Sequence, residues 1–426
     1  MTKSNSSKVS RRGFVVGSAA AVATAASTLT ASGCSSSSTT EEIITSVSEQ
    51  FPLAHVEYLS VDPSQIFPHV SMTTRDTADY VREVNSFDLP LGSLVYQSSD
   101  TQALVIAPGA SSKALIQLGF ANLESGEYLP ILEKAFGAGE DYVVYDARAS
   151  DSCVAWVECN MVHGQWRVYA LSFEKGNVSE ESMQRAQLLE EGEGDYSPPQ
   201  LAVSGNKVYW TVMPDPNGPA SSEDSYLKAV ELTGRRAGET VEPRVVYTSH
   251  GRMISSPTVS GNVLTIVPRV DFDTVYYQLT ALDIVSDEVK DIAILPPSLR
   301  VANAVWLDSG FVFGIEGNYD YAEGLSLFGT YQQLEEGQYL YVNKAPVSAA
   351  VQVNGFMYVK STKNILGLDA SRGNALVVDT PRDCVSYGDI LAGSGTQNRL
   401  VVYTTVVSRI GQQSRACKVR VLDPLR

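Results

Sequence analysis

The stretch ISSPTVSGNVLTIV, Ile254–Val267, has a near relative upstream, YSPPQLAVSGNKVYWTV, Tyr196–Val212. Each places Ser-Pro ahead of an apolar run, then Ser-Gly-Asn, then a second apolar run. Glycine in a short connection between two such runs is the mark of a tight β-hairpin. The unit recurs in degenerate form at Ser98–Asp100, Ala149–Ser152, Asp308–Gly310, Val353–Gly355 and Gly393–Gly395. A strong apolar run follows each copy: ALVIA, CVAWVEC, KVYWTV, VLTIV, FVFGI, FMYVK and LVVYTT. The interval of about 40–55 residues is that of one four-stranded propeller blade.

A second signature follows each turn pair: an apolar run, Leu-Asp, a polar turn, then another strand. It reads LTALDIVSDEV at Leu279–Val289, ILGLDASRGNALVV at Ile365–Val378 and VRVLDPLR at the end of the chain. Asp283, Asp369 and Asp423 are expected to brace these turns through Asx-type hydrogen bonds. Over most of residues 90–426 the repeat resembles that of quinoprotein-like propellers and of the propeller lipoprotein that assists outer-membrane assembly. The expectation is an all-β, seven-bladed β-propeller over residues 51–426, with eight blades the alternative. The last repeat runs out of chain after its third strand. The strand-like segment 79–87 is therefore expected to supply the fourth and close the ring as an N-terminal latch.

The first residues read as an address. SRRGFVV, Ser10–Val16, is followed by a mildly apolar Ala/Thr/Ser segment. It resembles a twin-arginine export signal, with Arg11, Arg12 and Phe14 as its signal residues. Ala31, Ser32 and Gly33 then precede Cys34 and a serine run, which resembles a lipobox with Cys34 as the lipidated N-terminus. The resemblance implies a signal peptide over 1–33 and a lipid-anchored protein on the extracytoplasmic face of the cell membrane. Residues 34–50 are expected to be a flexible Ser/Thr tether. No later apolar run is long enough to span a bilayer.

The chain carries 48 acidic and 32 basic residues, a formal charge of −16. Residues 1–33 hold Lys3, Lys8, Arg11 and Arg12 and no acid, so their removal deepens the charge by four, to −20. With no Lys/Arg cluster beyond residue 33, binding to nucleic acid or to an anionic surface by charge is excluded.

In a propeller the turns between first and second and between third and fourth strands share one face. The connections between second and third strands and between blades share the other. The first set is short and stereotyped here. The second varies: MPDPNGPASSEDS (Met213–Ser225), PRVDFDT (Pro268–Thr274) and the insertion Glu316–Tyr339 with its NYDY cluster. Variable loops on a rigid scaffold are where binding resides. The candidate binding rim is Tyr196, Arg252, Arg269, Asp271, Asp273, Arg300, Tyr319, Asp320 and Tyr321.

Nucleophile-elbow, phosphate-loop, EF-hand and sialidase motifs are absent, and the four histidines are isolated in sequence. No catalytic residue, metal site or cofactor is assigned. Cys153 and Cys159 lie six residues apart on one strand, too far to bond to each other, and buried free thiols are expected. The leading functional expectation is a non-catalytic, monomeric recognition module for an extracytoplasmic protein, peptide or glycan. An extracellular polysaccharide-active enzyme is the alternative, and a quinone-dependent oxidoreductase ranks last.

Overall fold

The computed structural model describes residues 36–425 apart from 53, 110–113, 137–140, 175–177, 179, 233–241, 309, 335–336, 385–386 and 408–414. Arg11, Arg12, Phe14 and Cys34, with the whole 1–33 segment, lie outside the described residues. Among the described residues no helix is long and apolar enough to cross a membrane.

The described strands form seven sheets. Six draw four antiparallel strands each from one stretch of chain: I (94–132), II (142–192), III (196–249), IV (258–295), V (299–342) and VI (351–378). Sheet VII takes three strands from 390–424 and its fourth from β4, Val81–Leu89, antiparallel to Arg415–Pro424. Consecutive sheets share apolar cores from I–II through VI–VII. A further core joins VII back to I, through Val95 and Val105 of one and Val401 and Val419 of the other. A ring of radiating meander sheets that returns to its start is a β-propeller.

This packing explains the solid apolar runs. Each sheet is covered on both faces, so alternate residues of a strand enter two different cores. Val154 and Trp156 face sheet I, whereas Cys153, Ala155, Val157 and Cys159 face sheet III. Cys153, Cys159 and Cys417 are free thiols. Burial pushes the Cys159 thiol up to about 11 and Cys417 up to about 12, away from thiolate chemistry.

The Ser-Gly-Asn repeats are two-residue hairpins. Ser204 pairs with Lys207 and Ser260 with Val263. Gly205 and Gly261, at the first central position, carry positive φ of 53° and 56°, as a type II′ turn requires. The prolines ahead of them interrupt pairing, since they donate no N–H. Tyr196–Ser197 and Leu201–Ser204 therefore bond to Pro214–Met213 and Trp210–Lys207 as two short pieces. Asp283 Oδ1 accepts from the backbone N–H of Val285 and Ser286, both at 2.9 Å. Asp369 Oδ1 accepts from Arg372 N at 3.1 Å. Asp423 departs from expectation: it pairs with Arg399 (Nη2···Oδ2 3.2 Å).

The expected flexible tether is corrected from Ser36 onward. Ser36–Gln50 is a helix, α1. Its Ile43 and Val47 are fully buried against Val270, Tyr276, Ile292 and Ile294 of sheet IV. Serine and threonine dominate its first turn, but the apolar pair four residues apart forms a docking stripe. A one-turn helix, Glu180–Met183, precedes the strand Gln187–Gly192 of sheet II. Beyond α1 the chain runs around the outside of the ring. β1 (His55–Tyr58), β2 (Ile66–Pro68) and β3 (Thr73–Thr74) add in parallel to the outermost strands of sheets IV, V and VI. The arm then becomes β4, which spans 81–89 rather than 79–87. Thr77–Asp79 form a 3-10 turn capped by Asp76.

Candidate functional site: the rim where the repeats disagree

The outermost strands are fixed by the arm, so the first strand of each sheet lies nearest the axis. At the hairpin-turn end of the ring, the segment expected as a seventh ordinary turn does something else. Gly395–Thr396 leaves sheet VII and pairs in parallel with Val351–Gln352 of sheet VI. Thr396 N donates to Ser260 Oγ of sheet IV at 3.2 Å, and its hydroxyl donates to Gln352 Oε1 at 3.1 Å. The segment thus links sheet VII to sheets VI and IV at this end. Gly395, with φ 78°, is required there, since a Cβ would run into the Val259 carbonyl oxygen.

The opposite, variable face carries the rim residues, which fall into two groups. In the first, Arg252 begins sheet IV and reaches back to sheet III, where Nη1 donates to Ser197 Oγ at 3.0 Å and to the Pro214 carbonyl. Burial lowers its guanidinium pKa, partly offset by Asp215, Tyr277 and Tyr145. Arg269 bridges to Tyr277 through the backbone. Among the described residues its guanidinium makes no hydrogen bond or ion pair, and its buried Nε has no acceptor. Burial raises the Tyr277 phenol, against the pull of both arginines, and also raises that of Tyr145. Tyr196 donates to Glu223 Oε2 at 3.0 Å. His250 lies between two carboxylates, with Nδ1 3.5 Å from Asp224 and Nε2 3.7 Å from Asp271. Because these flank opposite ring nitrogens, they orient the imidazole and do not chelate one ion with it.

The second group lies on sheet V. Arg300 donates to Tyr319 Oη at 3.2 Å and to Glu316 Oε1 at 2.9 Å. Tyr319 and Tyr321 are 71% and 59% exposed. Tyr321 has φ 49°, and the Glu323 carbonyl accepts from Val61 N of the arm at 2.9 Å, so the arm braces this loop. Asp273 and Asp320 are exposed, and no side-chain bond joins either of them to the first group among the described residues.

Sequence reasoning missed Tyr145, Ser197, Asp215, Asp224, His250 and Tyr277. The available signal was position: each stands near a strand end on the variable face. Their convergence depends on which sheets neighbour one another in the ring.

No family model matches the chain, and no curated protein matches its sequence. Among solved structures, it is similar to the β-propeller domain of the Trilobed protease from Pyrococcus furiosus. The two are 14% identical with a TM-score of 0.40, over 66% of this chain and 82% of that one. It is also similar to the polysaccharide lyase Uly1, at 7% identity and TM-score 0.48, over 78% and 89%. A third is apo AztD from Citrobacter koseri, at 11% and 0.36, over 77% and 97%. These likenesses concern the fold alone, which the ring of sheets establishes independently as an all-β propeller.

Proposed function

We propose that the protein is a membrane-anchored, extracytoplasmic recognition module, with its ligand site on the variable rim at the seam of sheets II, III and IV. In this reading all seven sheets are blades and β4 is the closing strand, supported by the shared cores on either side of sheet VII. The observation that carries the reading is a convergence: Tyr145, Ser197, Arg252, Arg269 and Tyr277 come together from three sheets on the variable face. Convergent polar groups on a rigid scaffold are a binding geometry. The ligand class is a protein, a peptide or a glycan.

The anchor rests on the twin-arginine pattern and on Cys34. Radiolabelled lipid should be incorporated by the wild type and not by Cys34→Ala, and Arg11→Lys/Arg12→Lys should retain precursor in the cytoplasm. Crosslinking and pull-down from the native membrane test the rim. Tyr196→Ala is expected to lose the captured partner, and undiminished capture by every rim variant would sink the reading.

One observation favours a second reading, an enzyme acting on an extracellular polysaccharide. His250 between Asp224 and Asp271 is an acid–base group held in place on the same rim. Turnover of a polysaccharide that His250→Ala abolishes would establish it.

A further inference from the structure

We propose that the seam of sheets II, III and IV binds a sugar acid, with Arg252 and Arg269 holding its carboxylate beside the phenols of Tyr145 and Tyr277. The proposal rests on the rim reading above and names the ligand class.

In a chain with 48 acids and 32 basic residues, arginines have many carboxylates to choose from. Arg252 nonetheless donates only to a hydroxyl and a carbonyl, and Arg269 to nothing among the described residues. The two are neighbours. A Cβ at Gly251 would stand 3.0 Å from Arg269 Cδ and 3.2 Å from its Nη1, so Arg269 lies along the backbone just before Arg252. The Arg269 guanidinium, partly buried and without an ion pair among the described residues, leaves its Nε donor unmet. A ligand carboxylate meets that donor and fits the planar guanidinium fork.

The surroundings favour a sugar acid over a peptide. Asp215 lies near Arg252, and Asp224 and Asp271 flank His250, whose backbone N–H donates to the Arg269 carbonyl. These carboxylates accept hydrogen bonds from hydroxyls and repel a run of acidic side chains, while the arginines repel a basic one. Tyr145 is 42% exposed and offers a flat face to the apolar side of a pyranose. A uronate ring carries one carboxylate, several hydroxyl donors and one apolar face.

Calorimetry on the full-length protein in detergent tests this with three probes: trigalacturonate, cellotriose and triglutamate. Trigalacturonate should bind saturably and the other two at least about tenfold more weakly. Arg269→Gln should weaken trigalacturonate by about tenfold or more with its thermal melt unchanged, and Arg269→Lys by less, since charge survives without the fork. Arg372→Gln, at the opposite end of the ring, should bind as wild type. Absence of trigalacturonate binding, equal binding by Arg269→Gln, or preference for triglutamate overturns the proposal. If that happens while Tyr196→Ala still loses the membrane partner, only the sugar-acid assignment fails. If every variant keeps the partner, the rim reading fails with it.

Discussion

Asp283 and Asp369 do what a Leu-Asp turn repeat predicts, and their protonation is linked to folding. The Ser286 backbone N–H holds Asp283 below the usual carboxylate value. Burial pulls Asp369 upward, but the bonds from Ser371 and Arg372 outweigh it, so it too stays low. A carboxylate depressed in the folded state contributes stability above its unfolded pKa of about 4, and loses it as pH falls through the folded value. Asp369→Asn should therefore lower the urea midpoint at pH 7, and the gap to wild type should narrow at pH 3. Gly395 makes a different claim. Because its Cβ would collide with backbone of sheet IV, Gly395→Ala should cost roughly 2–4 kcal/mol in denaturant unfolding. Wild-type stability in that variant would show that the crossing segment can move aside. The repeat hid this residue: GSG looks like every other hairpin turn, and only the ring brings Val259 opposite it.

At the scale of elements, legibility followed periodicity. The turn-flanked apolar runs announced the all-β propeller because each strand is buried on both faces and so reads as an unbroken run. α1 was missed for the converse reason. Its first turn has the composition of a linker, and its apolar stripe is only Ile43, Ile44 and Val47, with Phe51 just beyond stacked on Tyr247 at 5.6 Å. Ile43→Ala should destabilise the protein by about 2–4 kcal/mol, as a fully buried truncation does. A mutant as stable as wild type would mean that the helix docks without contributing. β1, β2 and β3, at two to four residues each, carry no period at all. Their places are set by the open edges they cover, which a sequence pattern does not display.

For the whole molecule, the arm and sheet VII depend on each other. Removing Val81–Leu89 bares the long strand Arg415–Pro424 along its outer edge and strips Leu89 and Val81 from the two cores flanking sheet VII. The expected outcome is aggregation on expression, measured as loss from the soluble fraction; a soluble monomer would sink this dependence. The rim was legible only as a face. Loop variability marked the side of the ring, but Arg252, Arg269, Tyr145 and Tyr277 come from two different sheets, and their proximity is a product of closure.

The path of the arm also sets how the protein would bear load. A pull on Ser36 meets first the apolar grip of α1, then three short parallel ladders, and reaches the nine-residue antiparallel strand β4 last. Tension applied through the N-terminus therefore peels a strap from successive sheets before it can open the ring. In a force-spectroscopy trace this would appear as small early rupture steps, among them release of the Val61 brace on the Glu323 loop, ahead of one large event.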